Sequence, residues 1–321
     1  MYYSKETRPK GVSSLTADVL VEAMPWIKNV TGKTIVIKYG GAAMVDDELR
    51  ADVMADIVLL KIIGVNPVIV HGGGKAISQA MKKSNLPVEF IDGQRVTTPE
   101  AMGLVREVLV GTVNQQLVQE MNEHGNLAVG LSGADAGTLI AEQMDDVHGR
   151  VGKITQVNTQ LIDNLIKADF IPVIASIAMG NDGGVFNVNA DVVAGHVAAA
   201  IGAHKVVFLS DVDGLYRDFE DKDSLVSRLS LEECEQMIAD GEVSTGMIPK
   251  LGACAHALRS GVSRAHMING TIPHALLLEL LTDKGIGTMV YSDGDQPEAQ
   301  HSLSRFAQRL VSRGNVEQQQ Q

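Results

Sequence analysis

Two short apolar runs near the start of the chain, each followed at once by glycines, constrain the fold more than any other feature. The first is TIVIKYGG, residues 34–41, and the second is PVIVHGGG, residues 67–74. Continuous apolar runs of this length are typical of strands in a sheet that is covered on both faces. Glycines directly after such strands let the backbone turn with its amide groups free to surround an anion.

Seven further β-rich runs alternate with segments of helical period. We predict strands at LAVGLS, TLIAEQ, KITQVN, IPVIASIA, KVVFLSD, AHMI and GTMVYS. We predict helices over residues 47–63, 75–84, 98–123, 159–168, 190–201, 231–240, 246–260 and 273–283. This alternation predicts an α/β fold, an open three-layer αβα sandwich with a mainly parallel sheet and two lobes.

An amphipathic segment precedes the first strand. Its apolar positions include Val19, Leu20 and Ile27, and Pro25 within it is expected to kink the helix. We therefore predict an N-terminal extension with a kinked helix over residues 1–30, which packs either on its own subunit or on a second copy. After the last strand we predict a partly disordered tail, residues 296–321.

Charge and cysteine content exclude several classes of function. The formal net charge is −12 in 321 residues, which argues against a general nucleic-acid or anionic-membrane surface. The two cysteines, Cys234 and Cys254, form neither a metal motif nor a disulfide framework. The first residues contain no apolar signal segment, and no run of 18 apolar residues occurs. We expect a cytoplasmic protein.

One pair of motifs suggests a serine hydrolase. HGGG occurs in the oxyanion hole of lipases, and GLSGA nearly spells a nucleophile elbow around Ser132. That elbow needs a helix directly after the serine, whereas GADAGTLIAEQ predicts a turn into another strand. We keep the hydrolase as a minor alternative.

Polar residues and glycines cluster at the predicted strand ends and turns. They are Lys38, Gly40, Gly41, Gly72, Gly73, Gly74, Arg95, Asn187, Asn189, Asp191, Asp211 and Lys250. Each has an ordinary structural explanation when taken alone. In open α/β sheets, however, ligands bind beyond the carboxyl ends of the strands. Backbone amides, three cations and carboxamides gathered there suit highly charged anions.

The motifs KYGG, VIVHGGG, GQRVTT, VGLSGADAG, GGVFNVNAD, LSDVDGLY and GMIPKL resemble those of the amino acid kinase family, in order and spacing, over residues 15–292. GQRVT together with NVNAD resembles the branch that phosphorylates N-acetyl-L-glutamate. The resemblance implies transfer of the ATP γ-phosphoryl group to the side-chain carboxylate of that substrate, on the arginine route, with Mg²⁺ carried by ATP and no dedicated metal site. A glutamate or aspartate kinase and a non-catalytic amino-acid sensor remain alternatives.

The resemblance also implies where the ligands bind. Residues 31–180 form an acyl-amino-acid lobe and residues 181–295 an ATP lobe. Substrate-binding residues are Gly73, Gly74, Arg95, Asn187 and Asn189, while Gly40, Gly41, Gly72, Asp211 and Lys250 contact ATP or its phosphates. Lys38 and Lys250 are catalytic cations, and Asp191 organises both. Lys75 departs from the proline that many relatives carry; it is either an extra cation for substrate or a solvated helix start.

The resemblance also implies regulation, through the N-terminal helix and through a segment near the C-terminal end of the matched region. Arginine-inhibited members have an extra kinked N-terminal helix that assembles dimers into a hexamer, a trimer of dimers. The segment HALLLELLTDKGIGTMV resembles their arginine pocket, with Glu279 and Gly285, and Lys205 also matches. We therefore expect inhibition by L-arginine, although a surface helix carboxylate would explain Glu279 equally well.

Overall fold

A large sheet at the centre of the molecule organises the fold. The computed structural model describes residues 14–44, 46–218, 220–283 and 285–292. Its strands are β1 Thr34–Tyr39, β2 Asn66–His71, β3 Phe90–Ile91, β4 Gln94–Arg95, β5 Ala128–Ser132, β6 Leu139–Gln143, β7 Gly152–Val157, β8 Ile171–Ala175, β9 Ile177–Gly180, β10 Val185–Asn187, β11 Lys205–Ser210, β12 Arg228–Ser230, β13 Arg264–Asn269 and β14 Thr288–Tyr291.

The main sheet has eight strands in the order β12-β14-β13-β11-β1-β2-β8-β5. All neighbours in it are parallel except β13 and β14. The two strands that precede the glycine turns, β1 and β2, are central neighbours, and β11 pairs with β1 on its other side. Their carboxyl ends therefore meet at one edge of the sheet, where ligands bind in open α/β folds. The predicted mainly parallel sheet is confirmed.

Two smaller sheets lie beside the large one. Strands β10-β9-β6-β7 form a four-stranded sheet, and β3 and β4 form a short antiparallel hairpin. These elements carry Asn187 at the end of β10 and Arg95 at the end of β4. They bring polar side chains towards the carboxyl edge of the main sheet.

Helices cover both faces of the main sheet. They are α1 Ser14–Val30, α2 Asp47–Ile62, α3 Gly74–Lys83, α4 Pro99–Arg106, α5 Gln115–Asn122, α6 Gln160–Lys167, α7 Ala190–Ala200, α8 Leu231–Ala239, α9 Ile248–Arg259 and α10 Ala275–Leu281, with a π-helical stretch, Glu107–Asn114, between α4 and α5. Several begin with the signals expected from the sequence. Thr98 accepts a hydrogen bond from the amide of Ala101 at the start of α4, and Pro99 occupies its first turn.

Alternation along β1 shows how the core is divided. Ile35 and Ile37 belong to one buried apolar cluster, and Val36 belongs to the other. Successive side chains of a strand point to opposite faces, so each cluster lies on one face of the sheet. Lys38 has the parity of Val36 and faces the side that carries α7, whose Val193 lies in the same cluster. Three layers result, as predicted.

The apolar clusters follow the faces of the sheet rather than the lobes. Each contains residues from before and after position 180. The predicted boundaries at 31–180 and 181–295 therefore stay predictions. Within the described residues no helix is both long and apolar enough to cross a membrane.

The structure differs from the sequence predictions in three places. IPVIASIA is two strands, β8 in the main sheet and β9 in the four-stranded sheet, separated at Ser176. A continuous apolar run gives no signal of where a chain passes between sheets. Residues 98–123 are not a uniform α-helix, because α4 and α5 flank the π-helical stretch. The hairpin and the three-residue strands β10 and β12 were not predicted, since they are too short to show a period.

The N-terminal helix is described by the structure, whereas the predicted C-terminal tail is not. Helix α1 continues through Pro25. Its C-terminal half buries Trp26 and Val30, whereas Val19 and Leu20 are 57% and 64% exposed. The predicted tail, residues 296–321, and the first 13 residues lie outside the described part of the chain.

Candidate active site

A carboxylate lies between two ammonium groups at the carboxyl edge of the main sheet. The Lys38 Nζ is 3.0 Å from Asp191 Oδ1, and the Lys250 Nζ is 3.2 Å from Asp191 Oδ2. All three side chains are largely buried, with exposed fractions of 10%, 17% and 8% for Lys38, Lys250 and Asp191. The structure thus brings together the three residues that were predicted to be catalytic.

Three elements place these side chains. Lys38 is near the end of β1, and Asp191 lies in the first turn of α7, where a negative charge favours the helix dipole. Lys250 lies in the first turn of α9, after Pro249, where a positive charge is unfavourable for the helix. The position of Lys250 therefore suits its pairing with Asp191 and not the stability of its own helix.

The environment keeps Asp191 ionised. Burial would raise the pKa of this carboxyl group, but the charges of Lys38 and Lys250 more than offset burial, and the pKa lies below its usual value. Two cations held by one carboxylate carry a local net charge of +1. That surplus of positive charge favours a negatively charged ligand here, although the net charge of the protein is −12.

Gly40 leaves room for the Lys38 ammonium group. A Cβ at position 40 would lie 3.1 Å from Lys38 Nζ and 3.3 Å from its Cε. Both distances are shorter than an ordinary van der Waals contact, so a larger residue would push the lysine aside. The absence of a side chain at Gly40 therefore lets the Lys38 ammonium group lie close to the backbone at this turn.

A first cavity, of about 210 Å³, opens beside Lys38 and Asp191. It is lined by ten of the predicted residues: Lys38, Gly40, Gly41, Gly72, Gly73, Gly74, Arg95, Asn187, Asn189 and Asp191. Apolar walls come from Ile77, Phe90 and Leu109. The cavity joins backbone amides, cations and apolar surface, which suits a small anionic molecule with an apolar part.

Arg95 is buried in the wall of this cavity. Its Nη2 donates to Gly74 O at 2.8 Å and to Ser78 Oγ at 2.7 Å, and the guanidinium lies 4.7 Å from the Phe90 ring centroid. Burial lowers its pKa, yet guanidinium keeps its proton at physiological pH. The groups that Arg95 contacts here, the Gly74 carbonyl, the Ser78 hydroxyl and the Phe90 ring, are all neutral. A buried cation with neutral partners favours an anionic ligand.

The two asparagines of NVNAD have different surroundings. Asn187 Nδ2 donates to Thr97 Oγ1 at 3.2 Å, from a half-buried position in the cavity wall. Asn189 is the N-cap of α7, and its Oδ1 accepts from the amides of Asp191 and Val192. The cap gives Asn189 a structural role in addition to the predicted one, since it fixes the turn that presents Asp191.

A second cavity, of about 490 Å³, lies on the other side of Lys250. Its lining includes Asp211, Tyr216, Arg217, Met247 and Lys250. Asp211 follows the end of β11 and is exposed to the cavity. Because Lys250 lines the second cavity and Asp191 the first, the ion-paired cluster connects the two.

Lys75 lies beside the first cavity. It is exposed at the start of α3 and lines a third cavity of about 530 Å³ that shares Gly73, Gly74 and Phe90 with the first. The side chain is thus near the first cavity without lining it.

The hydrolase alternative is not supported by the local fold. Ser132 ends β5, and its Oγ accepts a hydrogen bond from the amide of Ala134. A short 3-10 turn, Asp135–Gly137, leads directly into β6. The strand–turn–strand prediction is confirmed, and a nucleophile elbow would need a helix at this point.

The residues predicted to bind arginine lie around a buried hydrogen bond between His266 and Glu279. Glu279 Oε1 accepts from His266 Nδ1 at 2.6 Å, and its Oε2 accepts from the Ile286 amide at 2.8 Å. A Cβ at Gly285 would lie 3.3 Å from Glu279 Oε2. Burial would raise the pKa of Glu279, but the contact with His266 and the charge of Lys205 lower it overall. We call Lys205, His266, Glu279 and Gly285 the β11–α10 cluster.

This cluster is separate from the cavities. Lys205 begins β11 and Asp211 follows its end, so Asp211 is six residues further along the chain. At about 3.3 Å per residue the separation is roughly 20 Å. Glu279 is only 5% exposed, so the simple surface explanation for it is wrong.

Some residues of these sites carry no distinctive sequence signal. His266 lies within the predicted strand AHMI, where a histidine is usually a buried core residue. Leu109 comes from the π-helical stretch, and Phe90 from a hairpin too short to predict. Tyr216 was within the motif LSDVDGLY, which could have assigned it to the second cavity.

Comparisons with known proteins show the family of this chain. A model of the amino acid kinase family matches residues 33–269. The chain is 49% identical over 282 residues to the acetylglutamate kinase of Caldanaerobacter subterraneus subsp. tengcongensis, covering 87% of this chain and 94% of that protein. It is 47% identical over 292 residues to the acetylglutamate kinase of Streptomyces avermitilis, with 88% and 95% covered.

Solved structures show the same fold. N-acetylglutamate synthase from Neisseria gonorrhoeae, complexed with coenzyme A and N-acetyl-glutamate, superposes with a TM-score of 0.76 at 24% identity, over 87% of this chain and 64% of that one. Carbamate kinase from Giardia lamblia bound to AMP-PNP gives 0.60 at 15% identity, over 82% and 100%. At these identities the likeness concerns the fold alone. From the family model and the close relatives, the chain belongs to the amino acid kinase family and, within it, to the acetylglutamate kinases.

Proposed function

We propose that this chain transfers the γ-phosphoryl group of ATP to the side-chain carboxylate of N-acetyl-L-glutamate, giving an acyl phosphate. One observation carries the proposal: the Lys38–Asp191–Lys250 cluster connects a small cavity, lined by cations and glycine backbone, to a larger one. The relatives named acetylglutamate kinase support this choice of substrate.

The charges explain how the reaction is accelerated. A carboxylate that attacks a phosphate brings two anions together, and the transition state spreads negative charge over the transferred oxygens. Lys38 would stabilise those oxygens, and Lys250 would act from the nucleotide side. Asp191 holds both cations in place and needs no proton transfer, because a carboxylate nucleophile has no proton to lose. Each preorganised cation contributes about 3–4 kcal/mol to lowering such a barrier.

The first cavity would hold the acyl amino acid. Arg95 would bind its α-carboxylate, since this guanidinium is buried among neutral partners. Asn187 and Asn189 would face the polar groups of the substrate, and Gly73 and Gly74 would present backbone to it. Asn187, Asn189 and Asp191 come from the predicted ATP lobe, so substrate would bind at the junction of residues 31–180 and 181–295.

The second cavity would hold the nucleotide. Tyr216 and Met247 offer surfaces for a base, while Asp211 and Lys250 lie near polar groups. Gly40, Gly41 and Gly72 would lie against the phosphates, where they line the first cavity. Mg²⁺ prefers phosphate oxygens and water, and we expect it to enter with ATP.

A panel of acceptors tests the reaction. ADP release is measured with N-acetylglutamate, glutamate and aspartate, and the acyl phosphate is trapped with hydroxylamine. We expect kcat/KM for N-acetylglutamate to exceed that for glutamate by about 100-fold or more, because Asp191, the carboxylate among the described lining residues, is already paired with Lys38 and Lys250, and the neighbouring cations disfavour a free ammonium group. A faster reaction with glutamate or aspartate would assign a different acceptor. No ADP with any of the three would indicate a non-catalytic sensor.

We further propose that L-arginine inhibits the enzyme at the β11–α10 cluster. The ionised carboxylate of Glu279 offers a partner for a guanidinium group, and Gly285 leaves backbone exposed beside it. The cluster is separate from the active site, so inhibition would be allosteric. Binding of arginine is measured calorimetrically, and inhibition is measured in the ADP assay.

Assembly through α1 is the third proposal. Val19, Leu20 and Met24 leave apolar surface exposed on this helix, at 57%, 64% and 55%. A second copy of α1 would cover it, which would link dimers into a hexamer as in arginine-inhibited relatives. Light scattering of the full chain tests this, and a Leu20→Glu variant is expected to stop at a dimer. An unchanged mass in that variant would contradict the proposal.

A further inference from the structure

A buried histidine lies behind the second glycine turn. His71 is the last residue of β2 and is fully buried. Its Nδ1 is 3.0 Å from the carbonyl oxygen of Gly72. A carbonyl oxygen only accepts hydrogen bonds, so the ring carries its proton on Nδ1 and donates it to Gly72.

The other ring nitrogen is fixed by an asparagine. Asn114 Nδ2 lies 2.9 Å from His71 Nε2 and 2.8 Å from Val173 O. In this tautomer His71 Nε2 and Val173 O both accept hydrogen bonds, and the two hydrogens on Asn114 Nδ2 are donated to them. Asn114 Oδ1 has no hydrogen-bond partner in the described part of the chain. The reverse orientation of the amide would place two oxygens against each other at Val173, so this orientation is selected despite that cost.

The π-helical stretch brings Asn114 to this position. Asn114 is its last residue and is buried against Gly130 of β5, where a Cβ would collide with the amide. Leu109 of the same stretch lies over the turn, because a Cβ at Gly73 would be 2.7 Å from Leu109 Cδ2. The same stretch therefore packs on the glycine turn and holds the histidine behind it. π-helical turns are often found at functional sites.

The planar peptide group transmits this hydrogen bond to the cavity. In a trans peptide the carbonyl and the following N–H point in opposite directions, and no described peptide is cis. A Gly72 carbonyl held by His71 therefore directs the Gly73 N–H away from the ring. The Gly72 amide donates to Tyr39 O at 3.4 Å, which restrains the turn from the other side.

Without this hydrogen bond the turn would be free to reverse. Glycines rotate readily between backbone conformations, and reversal of the Gly72–Gly73 peptide would present a carbonyl oxygen instead of an N–H. An oxygen facing the anion would repel it. The turn therefore needs a fixed orientation, which its own side chains cannot supply.

We propose that His71, held by Asn114, is a positioning residue that keeps the Gly73 N–H directed at the anionic group bound in the first cavity. The inference rests on the proposed function, because that reaction supplies the anion. His71 itself touches no substrate.

Steady-state kinetics of the full chain test the role. His71→Leu removes the donor, and we expect kcat per folded active site to fall by about 100-fold, with nucleotide affinity unchanged. His71→Asn can place an N–H near the former Nδ1 and is expected to recover most of kcat. His196→Leu, the same change at a half-buried histidine of α7 that lines neither cavity, should keep the parental kcat.

The outcomes separate this inference from the proposed function. If the parent is active and His71→Leu keeps its kcat, the inference is wrong. It is equally wrong if His71→Asn is as impaired as His71→Leu. It is also wrong if the loss of activity in His71→Leu is explained entirely by a smaller fraction of folded protein. If the parent protein is inactive with every acceptor, the proposed function is refuted. The inference about His71 is then tested by a measurement on its imidazole ring.

That measurement uses nitrogen-15 NMR of the imidazole rings, and it needs no turnover. We expect His71 to show a protonated Nδ1 and an unprotonated Nε2 at neutral pH, and Asn114→Leu to disturb this pattern. A proton on Nε2 in the parent, or a pattern unchanged in Asn114→Leu, would overturn the inference whether or not the enzyme is active.

Discussion

Lys38 and Asp191 form a nearly buried ion pair, 3.0 Å apart, across the carboxyl edge of the main sheet. Lys38 is on the central strand and Asp191 is on the helix that covers one face, so the contact depends on the register of the whole fold. Asp191 extends the pair to Lys250 on α9. The cluster thereby links the two cavities.

Removal of the negative charge in this cluster should impair catalysis. In Asp191→Asn the two ammonium groups lose the charge that holds them together, and we expect kcat to fall by about 100- to 1000-fold. Asp47→Asn is a matched control, because Asp47 is an exposed carboxylate whose partner Arg50 also pairs with Glu120. Rate measurements at saturating substrates check this. Equal activity of the two variants would contradict the organising role.

The space at Gly40 should matter for catalysis and not for folding. In Gly40→Ala the new methyl group would contact the Lys38 ammonium group, and we expect kcat to fall by at least about 10-fold as the cation is displaced. Gly252→Ala adds the same atom to α9, where nothing lies within 4 Å. That control should keep kcat and gain up to about 1 kcal/mol of unfolding free energy. Identical kcat values for both variants would show that Lys38 has room to move.

Stability should decrease in mild acid. Burial, and then the neighbouring charge of His256, lower the pKa of His196 to about 4, and the pKa of the stacked His256 is lowered too. In the unfolded chain both titrate near 6.5. The unfolded state then binds more protons between pH 6.5 and about 4, so the pair's contribution to stability falls as pH falls through that window.

Urea unfolding at pH 7.5 and pH 5 measures this effect. Asp56 opposes it, since burial raises its folded pKa to about 6. Comparison with the double variant His196→Gln/His256→Gln isolates the histidines. We expect the variant to lose less free energy of unfolding between the two pH values than the parent. An equal or larger loss would show that the pair does not contribute.

Arginine sensitivity should depend on Glu279. Glu279→Gln removes the charge that a guanidinium would bind, and we expect the arginine concentration for half inhibition to rise by about 10-fold or more. The readout is the ratio of activity with and without arginine in each variant, which corrects for any change in folding. Glu235→Gln, which alters an exposed carboxylate paired with Arg259, is the control. Inhibition that is unaltered in Glu279→Gln would place the arginine site elsewhere.

Local patterns were sufficient to predict most of the fold and the position of the site. The apolar runs gave β1, β2, β5 and β11 almost to the residue, because buried parallel strands are continuous in sequence. The glycine turns and Lys38 could be identified as well, because they lie at the ends of these strands in the sequence. That Lys38, Asp191 and Lys250 meet came from the family resemblance, since spacing along the chain does not determine which helix lies over which strand.

Residues that act through packing were not predictable. Asn114 lies in a helical segment with nothing to distinguish it from an exposed asparagine, yet it is buried at the end of the π-helical stretch and contacts His71 there. His266 in a strand has the same difficulty. The division of IPVIASIA depends on which sheet accepts each half, which is a property of the assembled fold.

The rate of phosphoryl transfer in single and double lysine variants tests the central claim most directly. Lys38→Met and Lys250→Met are measured alone and together, in a single turnover with ATP and N-acetylglutamate. The account predicts a loss of about 100- to 1000-fold for Lys38→Met, and a double variant slower than either single one. A double variant that transfers phosphate at the parental rate would contradict it.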